Sequence, residues 1–192
     1  MMKRTAKNRL SQQQVAGDYL AMAQKYRHSG QHKKALNAIR VALNVWPKFA
    51  KAYNELGLVH RQLGESGEAI SAYRKALRLN PGNATTALNL GICYLYEEKE
   101  DAAIECFKKA VQAEPRYAYA HFNLGSTYFD QARYDLAVNH LEKAIQYDPY
   151  FLAAYEICAM AYLILKQKQK AQGLFKKAEK IKRQARLKHV AR

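Results

Sequence analysis

The stretch KAYNELGLVHRQLGESGEAISAYRKALRLNP spans residues 51–81, and its pattern of glycine, alanine and proline recurs further along the chain. A second copy, TALNLGICYLYEEKEDAAIECFKKAVQAEP, covers residues 86–115, and a third, YAHFNLGSTYFDQARYDLAVNHLEKAIQYDP, covers residues 119–149. The only prolines of the chain lie 34 residues apart, at Pro47, Pro81, Pro115 and Pro149. A fixed interval of this length indicates a protein built from repeats, each copy forming one structural unit.

Each copy predicts two helices. Tyr53, Leu56 and His60 are spaced i, i+3, i+7, which puts them on one face of a first helix. Ala69 and Tyr73 begin a second stripe of the same period. Because the residue before a proline is pushed out of the helical region, the second helix of each copy is expected to end just before its proline.

The pattern resembles that of the tetratricopeptide repeat (TPR) family over residues 17–181. The resemblance implies an all-α fold, a right-handed superhelical solenoid of five helix-turn-helix repeats with a basic C-terminal helix or tail. End repeats of such arrays are often atypical, and Ala23 and Ala159 replace the first-helix glycine here. The expected segments are a basic N-terminal extension at 1–15, repeats at 16–49, 50–83, 84–117, 118–151 and 152–181, and a basic tail at 182–192.

The resemblance implies a non-enzymatic protein–protein interaction scaffold, an adaptor or assembly factor that holds a partner peptide or helix in a concave groove lined by first helices. The groove is expected to be polar in the second repeat and apolar and aromatic from the third to the fifth. That apolar part is either an anchor for a partner or is covered by a neighbouring protomer in a homo-oligomer or by the chain's own tail. The predicted lining residues are Asn54, Leu88, Asn89, Ile92, Tyr96, Tyr119, Phe122, Asn123, Phe129 and Met160.

Asn89 and Asn123 occupy equivalent places in consecutive repeats. An amide both donates and accepts, so the pair suits a clamp on an extended peptide backbone, and the resemblance implies this role; the alternative is a bond to a neighbouring helix. TPR domains that bind acidic chaperone tails carry cations on three consecutive first helices. Here those places hold no positive charge, so this subtype is not expected.

The net charge of +16 is concentrated at the ends of the chain. Residues 166–192 carry eleven Lys and Arg against a single acid, whereas the middle of the chain is close to neutral. The tail is a solvated cap, a contact for nucleic acid or anionic membrane headgroups, or a docking segment for an acidic protein or another copy. The alternative function is therefore an RNA- or membrane-surface-associated factor that uses its basic ends. The tail residues concerned are Lys182, Arg183, Arg186, Lys188 and Arg192.

No motif in the sequence indicates catalysis or the binding of a metal or cofactor. The six histidines are scattered, His121 falls in a packing stripe, and the three cysteines lack CxxC spacing. Neither a Gly-rich phosphate loop nor an apolar run of ~18 residues occurs. We therefore expect no catalytic residues, no metal, no cofactor and a cytoplasmic location with reduced thiols.

Overall fold

The computed structural model describes the backbone of residues 2–190 and the side chains of residues 11–186. Over these residues the fold is entirely α-helical and contains no strand, as predicted. None of the described helices is long and apolar enough to span a membrane.

The ten described helices fall into two compact units, residues 1–99 and residues 100–192. The first unit holds α1 (Met2–His28), α2 (His32–Val45), α3 (Ala50–Gln62), α4 (Ser66–Leu79) and α5 (Ala84–Tyr96). The second holds α6 (Glu100–Ala113), α7 (Ala118–Asp130), α8 (Tyr134–Tyr147), α9 (Leu152–Ile164) and α10 (Lys168–Val190). Helices α2, α4, α6 and α8 each end two residues before a proline, as the spacing predicted.

The turns after the odd-numbered helices all share one backbone conformation. A residue in the left-handed region ends each of these helices, and the five such residues are also 34 apart: Gly30, Gly64, Glu98, Ala132 and Lys166. The residue after it donates its amide back to a carbonyl five positions earlier, as Glu65 does to His60 at 2.9 Å. This is the hydrogen bond of a Schellman-type C-cap, which satisfies an orphan carbonyl at the end of the helix.

In the first unit, small side chains allow paired helices to approach closely. A Cβ atom placed on Gly57 of α3 would lie 2.5 Å from the ring of Tyr73 on α4, so only glycine fits. Tyr73 itself is fully buried, and Ala69 and Ala76 beside it are buried too. The small residues thus let the ridges of α3 and α4 pack closely.

The second unit repeats this arrangement with different side chains. A Cβ on Gly125 of α7 would lie 2.8 Å from Leu141 on α8. Phe107, Leu124 and Leu141 are buried and fill the core of this unit. The equivalent positions 73, 107 and 141 therefore all hold a large buried side chain, although its identity and size differ between repeats.

The helices at the two ends extend past the bounds expected for the first and last repeats. Helix α1 is continuous from Met2, so the basic segment 1–15 is not separated from the first repeat by a break in the helix. Helix α10 continues through Lys182 to Val190, past the expected end of the fifth repeat at residue 181. Lys and Arg are good helix formers, so a basic composition does not by itself end a helix.

Candidate functional site

The predicted lining residues of the first unit are divided between buried and exposed positions. Tyr96 is 71% exposed, and Ile92 and Asn54 are half-buried. Leu88 and Asn89 are buried, with 6% and 8% exposure, so the expectation that they line an open groove is wrong. Burial depends on non-local packing, which the position of a residue in the repeat does not reveal.

Asn54 is held by a local network rather than left free. The Thr86 hydroxyl donates to its amide oxygen at 2.9 Å, and the Asn83 side chain accepts from the Thr86 amide at 2.7 Å as the N-cap of α5. The oxygen of Asn54 therefore links α3 to the start of α5. Asn54 thus has a structural contact between two helices of the first unit.

The second unit presents an apolar surface, here called the α7/α9 face. Helices α7 and α9 touch each other, and their apolar side chains at i, i+3, i+4 spacing point away from the buried stripe. Tyr119 is 54% exposed and Met160 is 42% exposed. The α7/α9 face consists of Tyr119, Phe122, Phe129, Ile157, Met160, Leu163 and Ile164.

Part of this face is built around Phe151, which the sequence analysis missed. The Phe151 ring lies 4.9 Å from that of Tyr119 and 4.5 Å from that of Phe122. These offset contacts hold the two α7 aromatics against the start of α9. Phe151 stands 34 residues after Tyr117 and 102 after Phe49, so comparison of the loops between repeats would have found it.

Asn123 lies on the same side of α7 but bonds to its own helix. Its Nδ2 donates to the Tyr119 carbonyl at 2.8 Å. With Asn89 buried, the two asparagines differ in accessibility, although the repeat places them at equivalent positions.

The electrostatics of the α7/α9 face follow from the composition of its helices. Neither α7 nor α9 contains Lys or Arg, and their only acids are Asp130 and Glu156. Burial, followed by the charge of Glu100, raises the pKa of Asp130 above its ordinary value. The face is therefore apolar with a weakly acidic border, and it does not favour an acidic ligand.

The basic tail is only partly available for contact with anions. Lys182 is half-buried, and its Nζ contacts Glu156 Oε1 of α9 at 2.8 Å and Glu179 at 3.5 Å. An external anion would have to compete with Glu156 for Lys182, and the expected contact of Lys182 with such an anion stays a prediction. Arg183 and Arg186 are exposed, whereas the side chain of Lys188 and residue Arg192 lie outside the described residues.

His121 is a core residue, as predicted. It is 2% exposed, and its Nε2 donates to the Pro115 carbonyl at 3.1 Å. Its Nδ1 is then the acceptor for Nδ1–H of His140, also at 3.1 Å. Burial lowers the pKa of both rings, that of His140 to about 4, so the pair is neutral at pH 7.

Within the described residues, no group of three or more His, Cys, Asp or Glu side chains is arranged to hold a metal ion. The three cysteines are buried free thiols, and burial raises the pKa of each. A high thiol pKa disfavours the nucleophilic thiolate.

Comparison with known proteins agrees with the repeat pattern. Two family models described as tetratricopeptide repeat match residues 48–116 and 118–151, together more than half of the chain. No curated protein matches the chain by sequence.

Several solved structures are similar. A crystal structure of MamA is 26% identical, covers 85% of this chain and 95% of its own, and has a TM-score of 0.78. PilF of Pseudomonas aeruginosa is 20% identical over 88% of this chain and 78% of its own, with a TM-score of 0.81. YrrB, a TPR protein with an unusual peptide-binding site, is 23% identical over 85% and 84%, with a TM-score of 0.71.

Proposed function

The chain belongs to the tetratricopeptide repeat family, whose members are protein-interaction scaffolds, and we propose that it is a non-enzymatic adaptor or assembly factor. Its binding site in this proposal is the α7/α9 face, which takes an apolar peptide or helix from a partner protein. The observation that carries the proposal is the exposure of Tyr119, Met160, Leu163 and Ile164 together on two touching helices. Exposed apolar groups of this size, grouped on one face, are typical of a protein-binding surface.

The chemistry of the face narrows the class of partner. Aromatic rings and a methionine supply adaptable apolar contacts, which suit anchor side chains inserted between helices. Of the two acids at its border, Glu156 is paired with Lys182, so Asp130 is the one that favours cationic rather than acidic residues next to those anchors. We therefore expect an apolar segment with neutral or basic flanks.

The proposal can be tested by affinity capture with matched variants. The wild-type chain, the double variant Met160→Ser/Leu163→Ser and a control, Leu136→Ser, are immobilised, and the captured proteins are quantified by mass spectrometry. Leu136 on α8 is 40% exposed and lies outside the α7/α9 face, so it matches Met160 in exposure. The capture is done at low and at high salt.

We expect the double variant to capture at least tenfold less of a specific partner than the wild type does. The control should capture the same amount as the wild type. Because apolar contacts are not screened by ions, the captured amount should persist at high salt. Equal capture by the double variant and the wild type would contradict the proposal. Loss of the partner at high salt alone would instead favour the basic ends as the binding site.

A further inference from the structure

An arginine of the first unit forms an ion pair with a buried acid. The arginine at the equivalent place one repeat later lacks such an acid. Arg27 at the end of α1 donates from its Nε to Glu55 Oε1 on α3, and Glu55 is only 3% exposed. The two residues are 28 positions apart in sequence. A buried carboxylate and a guanidinium satisfy each other in this arrangement.

Arg61 stands 34 residues after Arg27 and thus at the same place in the next repeat. The residue 28 positions after Arg61 is Asn89, a neutral amide, where the first repeat has the acid Glu55. Correspondingly, Arg61 Nε is buried and makes no well-formed hydrogen bond, and the group beside the guanidinium is the buried hydroxyl of Tyr73, which is neutral where the first repeat has a carboxylate. A buried donor without a partner costs free energy, so this position is suited to an external acceptor.

A solvent-open depression of about 470 Å³ reaches this arginine. Its polar groups come from the end of α3, the following turn and the start of α4. The Glu65 side chain does not cap α4, so the first amide groups of that helix keep their capacity to bind an acceptor. The depression is lined by Arg61, Gln62, Gly64, Ser66 and Tyr96.

Two acids that are adjacent in sequence to lining residues are already engaged. Glu65 Oε2 lies 2.6 Å from His60 Nδ1, and Glu97 lies 3.8 Å from the Lys99 ammonium. Both carboxylates are partly exposed, so solvent screens their repulsion of an incoming anion.

We propose that the depression around Arg61 binds the carboxylate of an acidic residue in a peptide segment of a partner protein. The ligand carboxylate takes the role that Glu55 has toward Arg27, and the exposed ring of Tyr96 packs against the carbon chain that carries it. The site lies in the first unit and is independent of the α7/α9 face. It uses one arginine of the second repeat, not a set of cations on three first helices.

The test is a titration of the full ¹⁵N-labelled chain with two matched probes. One is acetyl-Ala-Glu-Ala-amide, and the other is the same peptide with glutamine. We expect the glutamate peptide to shift the Arg61 Nε–H signal and the amide signals of Gly64 and Ser66 at millimolar concentration. The glutamine peptide should shift them at least tenfold less. Equal shifts with both peptides would overturn the proposal, and so would tighter binding of inorganic phosphate than of the glutamate peptide.

Variants separate the charge of Arg61 from its structural role. Arg61→Gln should abolish the response, and Tyr96→Ala, at an exposed position, should weaken it severalfold while the circular dichroism spectrum is unchanged. Asn89→Glu should supply the missing carboxylate internally, raise the thermal midpoint and abolish peptide binding. Asn89→Gln, its neutral match, should leave peptide binding within about twofold of wild type. Retained binding in Asn89→Glu, or equal loss in both Asn89 variants, would show that Arg61 does not receive the ligand.

Discussion

At the scale of single residues, the His121–His140 pair couples stability to pH. Both rings are neutral when folded, and the ordinary pKa of 6.5 falls to about 4 for His140 because the ring is buried and lies beside His121. In the unfolded chain each ring takes up a proton near its ordinary pKa. The stabilisation is therefore complete above pH 6.5 and is lost as the pH falls toward 4.

We expect the free energy of unfolding to fall by about 1 kcal/mol or more between pH 7 and pH 5, measured by urea denaturation. His140→Gln keeps a donor toward His121 but cannot take up a proton, so its stability should fall less over the same range. An identical pH slope in the variant and the wild type would contradict this assignment.

The left-handed turn residue Ala132 provides a second prediction at this scale. Ala132 has a φ of 57°, a conformation that is unfavourable for a residue with a Cβ, whereas Gly30 and Gly64 hold the equivalent places in other repeats. Ala132→Gly should stabilise the chain by about 0.5–1 kcal/mol, because relief of strain exceeds the entropy that glycine adds to the unfolded state. Thermal unfolding measures the change. Ala21→Gly, at an exposed position inside α1, is the control and should destabilise by about 1 kcal/mol.

At the scale of elements, α10 combines a packed face with a basic one. Ala171 and Ala178 are buried, and Lys176, Lys180 and Arg183 follow one another on the exposed side. Lys182 lies near the packed side, and the hydrogen bond to Glu156 raises its pKa. One cation of α10, Lys182, is therefore paired within the chain, whereas the row of three others is exposed to solvent.

We expect only the exposed row to contribute to binding of a polyanion. On a heparin column, the variant Lys176→Gln/Lys180→Gln/Arg183→Gln should elute at clearly lower salt than the wild type. Lys182→Gln should elute close to wild type, because its ammonium is already paired. A larger effect from Lys182→Gln than from the triple change would contradict this expectation.

The extent of these elements was only partly predictable from sequence. The prolines and the small residues Gly57 and Gly125 are local signals, and they placed the helices within each repeat correctly. The ends of α1 and α10 were not predictable in this way, since a run of Lys and Arg is compatible with both helix and coil. Lys182 was assigned to a free tail because its partner, Glu156, is distant in sequence.

At the scale of the whole molecule, the 34-residue repeat predicted which residues occupy equivalent places on their helices, but not which of their side chains are buried. Tyr119 and Met160 are exposed, whereas Leu88 and Asn89 are buried by packing that no local pattern reveals. The repeat was most informative at a position where its residue type changes. Asn89 stands where the preceding repeat has the acid Glu55, so Arg61 lacks the carboxylate that Arg27 has. The proposed Arg61 site thus rests on a departure from the repeat.

The central claim is that the α7/α9 face binds an apolar segment of a partner, and site-specific photocrosslinking tests it most directly. A benzophenone amino acid replaces Leu163 on the face or, as a control, Leu136 on α8, which is exposed to a similar degree. After irradiation in cells, the crosslinked peptides are identified by mass spectrometry. The account predicts one recurrent apolar segment linked to position 163 and absent from position 136. Crosslinks to the same segment from both positions, or none from position 163, would contradict it.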